Sequence, residues 1–309
     1  LIYDKTTTIE FKKNYQLEGS VLKSDVELLF KEISKALEYT KDIHIYGCSI
    51  FRKLDEYELN SINDVLKEKF NVSIEVVSQE DEAKYTAKGC YDNIDYDGTL
   101  CVFIGGGGSV ELMFVKNKEI IGSKFYDFGV VDITSKYDEL KKDIPSVTYD
   151  EVMTYVNSLI GDIEYKADAI ALCGGDHLYW FNNAEYKLDT NTIYRSEKQK
   201  FMLTTEKADI YDRDMMVSSL DAVRNRSDNP LWFDGSRAMR FIVNCITHKI
   251  DAKYIIPTNI NMEDGIKSTL EKVDIKFFLE ISKMLYLNFR KCYNRRALKG
   301  RFYYEYGYI

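Results

Sequence analysis

Apolar and polar positions repeat along the chain with two different periods, and these predict helices and short strands in turn. Apolar residues recur every three or four positions in 25–40 and 57–70, as on one face of a helix. Shorter apolar runs at 42–51 and 72–78 indicate strands, the first of which leads into a turn. This β-α order predicts a mixed or parallel sheet with helices packed against it.

The chain then repeats this organisation after a stretch rich in Gly, Asn and Asp at 89–99, which is the best candidate for a linker. Two apolar runs joined by four glycines follow, and three strands are predicted there, with a hairpin at 116–118. Further strand-and-glycine units are predicted at 168–177 and 252–266, and further helices at 149–160, 218–226 and 268–295.

A chain of 309 residues is too long for one ordinary core and suits two domains. We predict an N-terminal α/β domain over 1–95 and a C-terminal α/β domain over 96–309, whose terminal helix can pack back on the first domain. Several apolar strands end in turns of glycine or small hydroxyl residues: "LIYDKTTT", "VFIGGGGS" and "IALCGGD".

Charge and cysteine usage narrow the class of protein. The net charge of -8 argues against nucleic acid or an anionic membrane as a partner. The six cysteines are spread out without a CxxC pair, which is typical of free buried thiols in a reducing compartment. No secretory leader or membrane-spanning stretch is evident, so we expect a cytoplasmic protein.

The four glycines at 105–108 need an explanation, because a plain hairpin needs only one or two. Successive backbone amides in a glycine-rich turn can converge on a phosphate that no side chain obstructs. The loop is not a Walker loop, which would end in GK[ST], and it is followed by a predicted strand instead of a helix. On its own, a flexible hairpin explains it equally well.

The segments around the loop resemble the exopolyphosphatase and guanosine pentaphosphate phosphohydrolase (Ppx/GppA) family of the actin-like ATPase superfamily. In that family an S-G-x-E-E-A segment precedes a D-I-G-G-G-S-T-E-L loop, and Ser78, Glu82 and Ala83 match the former. Further resembling segments follow the family order: "YGCSIFRKLDEYELN" (46–60), "GGGGSVEL" (105–112), "SKFYDFGVV" (123–131), "LCGGDH" (172–177) and "NINMEDGI" (259–266).

This resemblance implies a fold of two ribonuclease H-like α/β domains with a cleft between them, in a short two-domain form. It also implies that the protein removes a terminal phosphate from inorganic polyphosphate or guanosine pentaphosphate, with water as the nucleophile and Mg2+ or Mn2+ as cofactor. The expected partner is therefore polyphosphate or a guanosine polyphosphate nucleotide, and pairing into a homodimer is open.

The resemblance also implies roles for individual residues. Glu82 would be the general base, Arg52 would clamp phosphate oxygens, and Glu111 would position the water or hold the metal together with Asp4. The implied phosphate-binding residues are Gly105, Gly106, Gly107, Gly108, Ser109, Thr6, Thr7, Thr8, Gly174 and Gly175.

The chain departs from the family pattern at places that matter for chemistry. Ile104 stands where the family loop begins with Asp, and Thr6–Thr8 replace a Gly-Ser-Asn turn. Two hypotheses follow: a diverged phosphoanhydride hydrolase, or a phosphatase-like protein that binds nucleotide, polyphosphate or a protein partner without turnover. His177 follows the second glycine pair, where a packed role or a ligand contact would both be compatible with the sequence.

Overall fold

The computed structural model describes residues 9, 11–94, 96–174, 177, 202–224, 235–269, 277–281 and 290–291. The strand predicted at the start of the chain lies outside this set, and so do the site candidates Asp4, Thr6, Thr7, Thr8 and Gly175. The chain divides into two compact units, Leu1–Val77 with Leu270–Ile309 and Ser78–Thr269.

The first unit alternates helices and strands, as the sequence pattern predicts. The apolar positions of the second and third helices pack with those of both strands in one core that includes Leu29, Ile33, Ile45 and Leu66. In chain order the elements are α1 (Phe11–Glu18), α2 (Lys23–Leu37), β1 (Ile43–Gly47), a 3-10 helix (Ser49–Arg52), α3 (Glu56–Phe70) and β2 (Ile74–Val76).

The second unit is built on a mixed sheet flanked by helices. Its elements are α4 (Gln79–Asn93), β3 (Leu100–Gly105), β4 (Val110–Lys116), β5 (Glu119–Tyr126), α5 (Val130–Lys136), a 3-10 helix (Asp138–Lys141), α6 (Tyr149–Ile160), β6 (Ala169–Cys173), β7 (Leu203–Thr204), α7 (Thr205–Val217), α8 (Leu220–Arg224), α9 (Ser236–Lys249), β8 (Tyr254–Pro257) and α10 (Met262–Thr269).

Two further strands belong to the first unit: β9 (Phe277–Ile281) and β10 (Arg290–Lys291). The backbone of β9 pairs in parallel with β1, so the helix predicted over 268–295 is wrong in this part. The reason is that a five-residue apolar run such as "FFLEI" is too short for periodicity to distinguish helix from strand. Among the described residues, the sheet of the first unit has the order β10-β9-β1-β2.

The sheet of the second unit has the order β5-β4-β3-β6-β8-β7 among the described strands. Strands β3, β6 and β8 run parallel, whereas β3, β4 and β5 are antiparallel, with the predicted hairpin at 116–118 between β4 and β5. Because side chains alternate along a strand, β3 sends Cys101 and Phe103 to one face, and Val102 and Ile104 to the other. The first face packs with α6, α7 and α9, and the second packs with α4.

The compact units divide the chain at Val77 and Ser78, whereas the predicted domain boundary lay at 95. The difference comes from α4, which packs on the sheet of the second unit through Ala83, Ala87 and Cys90. The same helix includes residues 89–93, so the first half of the predicted linker is helical. Turn-forming residues such as Gly89 and Asn93 are tolerated there because tertiary packing outweighs their low helix propensity.

The predicted free thiols are confirmed for the described cysteines, since Cys48, Cys90, Cys101, Cys173 and Cys245 are all buried and reduced. A search of the described helices finds none that combines the length and the apolar character needed to cross a bilayer.

Candidate functional site

The four glycines end β3 and form the connection to β4. Gly105 pairs with Val110 across the two antiparallel strands, which leaves 106–109 as the turn. The N–H of Gly106 donates to the carbonyl of Ser109 at 3.0 Å and closes this turn. Because β3 runs parallel to its neighbour β6, the loop lies at the carboxyl end of the parallel strands, where ligands of open α/β sheets commonly bind.

The first amides of α5 fix the orientation of the loop. The N–H of Val130 donates to the Gly106 carbonyl at 3.1 Å, and that of Val131 donates to the Gly107 carbonyl at 2.8 Å. In a trans peptide the N–H points opposite to the carbonyl. The N–H groups of Gly107 and Gly108, which belong to the same two peptide units as these carbonyls, therefore point away from the first turn of α5.

None of Gly105 to Gly108 has a positive φ, so the loop does not need glycine for a left-handed backbone conformation. A Cβ atom on Gly105 would lie 2.7 Å from the Phe103 ring and 2.8 Å from the Met239 methyl group. A Cβ atom on Gly108 would meet nothing within 4 Å, so this side of the loop is open. At the start of α5, Gly129 lies against the loop backbone, where a Cβ atom would touch the Gly106 carbonyl oxygen.

The N-terminal turn of α4 separates the three adjacent acids at 80–82 by environment. Ser78 caps the helix and accepts a hydrogen bond from the Asp81 N–H at 3.0 Å, while Glu80 forms an ion pair with Lys84 at 2.7 Å. Glu80 and Asp81 are exposed, as expected of acids at a helix start. Glu82 differs because only 8% of its surface is exposed.

Glu111 lies on the β4 face that packs with α4, since its neighbours on that face, Met113 and Val115, belong to that core. Its side chain is only 2% exposed. The Oε1 atom accepts a hydrogen bond from Gln79 Nε2 at 2.6 Å and another from Ser109 Oγ at 2.8 Å. Glu111 thereby connects the start of α4 to the end of the glycine loop.

The structure therefore brings three sequence candidates together in the second unit: the glycine loop, Glu111 and the helix turn that carries Glu82. Gln79 and Glu82 are three residues apart in α4, so their side chains lie on the same side of the helix. Sequence reasoning missed Gln79, whose partner Glu111 is 32 residues away. The only local signal was its position directly after the helix cap.

The second glycine turn, after β6, has a different character. Gly174 adopts φ +74°, a left-handed conformation that favours glycine, and its N–H donates to the Ile260 carbonyl at 2.9 Å. A Cβ atom there would meet only the Ile104 side chain, at 3.6 Å. Glycine is thus needed for the backbone bend. The phosphate-binding role of Gly174 and Gly175 stays a prediction.

Arg52 belongs to the first unit and ends the 3-10 helix that follows β1. Its Nη1 atom donates to the Val77 carbonyl at 2.9 Å, and the Val77 N–H donates to the Gly47 carbonyl at 2.9 Å. Arg52 therefore holds the backbone directly before the cap residue of α4. Whether it also binds phosphate stays a prediction.

The predicted metal ligands can be tested only in part. Asp4 lies outside the described residues, and Glu111 uses Oε1 for two hydrogen bonds. The residue paired with Glu111 across β3 and β4 is Ile104, which offers no metal ligand. Within the described part of the chain, no group of three or more His, Cys, Asp or Glu side chains could hold a metal ion. These residues do not by themselves supply the ligand set of a protein-bound Mg2+ ion.

His177 is packed in the second unit. Its side chain is 2% exposed, and its ring lies edge-on to Phe103 with the centroids 6.0 Å apart. Burial, with a smaller effect of the Arg240 charge, lowers the pKa of His177 from 6.5 to about 3. Arg240 itself pairs with Asp212, and both side chains are only 2% exposed. His177 is therefore a neutral, packed histidine at ordinary pH.

Comparisons with known proteins give a family match and structures of similar fold. The model of the Ppx/GppA phosphatase family matches residues 25–176. Among solved structures, a Ppx/GppA family member from Aquifex aeolicus is 16% identical, with a TM-score of 0.69 over 84% of this chain and 86% of that one. An exopolyphosphatase from Cytophaga hutchinsonii is 14% identical, with a TM-score of 0.67 over 85% and 87% of the two chains.

No curated protein matches the chain by sequence. The structural similarity confirms the predicted actin-like α/β fold class, and the matched residues 25–176 include Arg52, Glu82, Glu111 and the glycine loop. Through these residues the chain matches the model of the Ppx/GppA phosphatase family.

Proposed function

We propose that the protein is a phosphoanhydride hydrolase that removes the terminal phosphate from inorganic polyphosphate or guanosine pentaphosphate. The observation that carries this proposal is the hydrogen-bonded connection of Gln79, Glu111 and Ser109, which joins the helix turn of Glu82 to the glycine loop. The family match and the likeness to an exopolyphosphatase structure support the same class of reaction.

In the proposed reaction, the terminal phosphoryl group lies against the N–H groups of Gly107 and Gly108. A water molecule attacks its phosphorus atom and the bridging P–O bond breaks, so the products are phosphate and a chain shorter by one phosphate. Charge that develops on the phosphoryl oxygens is stabilised by the fixed amide dipoles of the loop. Such donors are effective because α5 already orients them before the substrate arrives.

Glu82 is the proposed general base that takes the proton from the attacking water. A carboxylate can do this when the water lies within hydrogen-bond reach. Glu82 suits the role better than Glu80 or Asp81, since these two are exposed and engaged in helix capping or an ion pair. Glu111 is the proposed group that orients the water.

Arg52 is proposed to bind phosphate oxygens through its planar guanidinium fork. Mg2+ or Mn2+, the proposed cofactor, would neutralise phosphate charge, which is needed next to a protein of net charge -8. Because the described residues do not complete a metal site, the roles proposed for Glu82, Glu111 and the loop do not depend on a bound metal ion.

The test is phosphate release from long-chain polyphosphate and from guanosine pentaphosphate, with Mg2+ or Mn2+ in the assay. We expect turnover by the wild type, and a loss of about a hundredfold or more in Glu82→Gln, as is typical when a general base is removed. The matched control is Glu80→Gln, which removes an exposed carboxylate from the same helix turn. Equal turnover in Glu82→Gln and the wild type would refute the role of Glu82.

Ile104 favours a second candidate function, that of a protein that binds polyphosphate or nucleotide without turnover. Its buried apolar side chain is 6% exposed and stands across from Glu111, where a second carboxylate would assist catalysis. A wild type that binds tripolyphosphate in calorimetry but releases no phosphate from either substrate would establish this candidate over the hydrolase.

A further inference from the structure

The Glu111 carboxylate lies in an unusually apolar setting for a charged group. Strand alternation places it beside Met113, and its partner across the strands is Ile104, both of which belong to the core under α4. Burying a carboxylate is strongly unfavourable unless hydrogen-bond donors replace the lost water. Its donors therefore determine how the carboxylate is held.

Two neutral donors meet the same oxygen of Glu111. Gln79 Nε2 lies 2.6 Å from Oε1, which is short even for a hydrogen bond to a charged acceptor, and Ser109 Oγ lies 2.8 Å from the same atom. The terminal torsion of a glutamate is broad when nothing holds it. Two donors that reach one oxygen from different segments fix the rotation of the carboxylate plane.

The two donors also differ in what they can do for a bound phosphate. Ser109 is part of the loop and moves with it, whereas Gln79 belongs to the first turn of α4, next to the cap residue Ser78. The Gln79 hydrogen bond thus ties Glu111 to the helix turn of Glu82. A change at Gln79 alters the orientation of Glu111 without touching the loop.

We propose that Gln79 is a positioning residue for Glu111, whose amide orients the carboxylate toward the water at the glycine loop. The proposal rests on the proposed hydrolase function, because it assigns Glu111 a part in orienting that water. Gln79 acts through Glu111 and does not itself take part in the proton transfer.

A double-mutant cycle tests this proposal with Gln79→Met, Glu111→Gln and the double variant. Methionine keeps the length of the glutamine side chain and removes the amide donor. Because a hydrogen bond to a charged group is lost, we expect Gln79→Met to lower kcat about ten- to a hundredfold and to leave KM for polyphosphate within about twofold. The double variant should be no slower than Glu111→Gln.

Thermal unfolding of each variant, with Glu80→Gln as the control on the same helix turn, separates positioning from a loss of structure. If Gln79→Met does not fold, Gln79→Glu replaces it, since glutamate has the same shape but puts an acceptor against Glu111. A Gln79 variant with wild-type kcat, or single effects on kcat that multiply in the double variant, would overturn the proposal.

The same four proteins distinguish a failure of this inference from a failure of the proposed function. If the wild type releases phosphate and Gln79→Met does so with the same kcat, the inference alone is wrong. If the wild type binds tripolyphosphate without turnover, the hydrolase function is wrong. The double-mutant cycle is then measured through the Kd of each protein for tripolyphosphate. Coupled changes in Kd then support the positioning role, and independent changes, or no binding by the wild type, overturn it.

Discussion

At the residue scale, Gly108 and Gly129 lack side chains for different physical reasons. A Cβ atom on Gly108 would meet no protein atom within 4 Å, so glycine is not needed there for packing. A Cβ atom on Gly129 would collide with the Gly106 carbonyl and would lie 2.7 Å from the Gly108 nitrogen. Gly129 has an extended backbone with φ -158°, which any residue can adopt, so its requirement for glycine is steric only.

This difference predicts opposite effects of two alanine substitutions. Gly108→Ala should keep the wild-type stability but weaken binding of tripolyphosphate by about tenfold, because the methyl group covers an amide that is proposed to bind phosphate. Gly129→Ala should lower the free energy of unfolding by about 1 to 3 kcal/mol, as overpacking does, and displace the loop. Urea unfolding and calorimetric titration of both variants measure these effects.

Each of these variants is the control for the other. If Gly108→Ala unfolds as early as Gly129→Ala, the loop is packed on its outer side, contrary to the open space next to Gly108. If Gly108→Ala binds tripolyphosphate as tightly as the wild type, the N–H groups at this point of the loop do not bind phosphate.

Among the candidate site residues, the sequence singles out those whose chemistry shows in a local motif. The cap residue Ser78 fixes the phase of α4, and this phase decides that Glu82 is buried while Glu80 and Asp81 are exposed. Gln79 could not be predicted in this way, because its role comes from a contact between a helix and a strand that are distant in sequence. Local propensity contains no information about such a contact.

At the element scale, the position of the Glu82 turn depends on the packing of α4. This helix crosses α10 where two glycines face each other: a Cβ atom on Gly89 would lie 2.9 Å from the Gly265 nitrogen. A Cβ atom on Gly265 would overlap the Tyr85 carbonyl of α4. The two helix backbones are therefore in direct contact, as small residues allow.

Gly265→Ala should separate these helices. Alanine is a better helix former than glycine by up to about 1 kcal/mol, so propensity alone would predict a stabilised protein. The overlap with the rigid backbone at Tyr85 opposes this gain, and overpacking commonly costs about 1 to 3 kcal/mol. We therefore expect a net loss of stability in urea unfolding, together with reduced phosphate release, since α4 carries Gln79 and Glu82.

The matched control for Gly265→Ala is Lys84→Ala, on the exposed side of α4. Among the described residues, Lys84 forms surface ion pairs with Glu80 and Asp81, which contribute little to stability. If Gly265→Ala is as stable as this control, or more stable than the wild type, the close contact of α4 and α10 is not required.

Most elements followed from periodicity, because their apolar stripes are long enough to define a period. The bounds of α2, α3 and α6 differ from the predicted ranges by at most three residues at either end. The errors have identifiable causes. Composition suggested a linker at 89–99, although Gly89 lies in α4 and allows close helix packing. The run "FFLEI" in β9 was predicted to be helical, because its pairing with β1, which is far away in sequence, leaves no local signal.

At the scale of the whole molecule, the fold class could be predicted because several weak motifs occur in family order. The division into units could not, since it depends on which sheet α4 packs against and on the pairing of β9 with β1. The substrate is a further step that neither periodicity nor fold determines. It depends on the groups that contact the phosphate chain, so phosphate release must be compared between polyphosphate and guanosine pentaphosphate.

His177 predicts how the stability of the whole molecule depends on pH. In the unfolded chain its pKa is near 6.5, whereas burial lowers the folded pKa to about 3. Between these two values the unfolded state binds one more proton than the folded state does. The contribution of His177 to the free energy of unfolding is therefore fully present above pH 6.5. It is lost as the pH drops toward 3, by up to about 1.4 kcal/mol per pH unit.

Urea unfolding of the wild type and of His177→Gln at pH 7.5, 6 and 5 measures this contribution. Between pH 7.5 and 5 the wild type should lose about 2 kcal/mol more than the variant, which has no group that titrates at this position. The comparison is needed because burial raises the pKa of Asp212, whose effect on stability has the opposite sign. That effect is common to both proteins, so it cancels in the difference. Parallel pH profiles would mean that His177 takes up a proton as readily in the folded protein as in the unfolded chain, contrary to its burial beside Phe103.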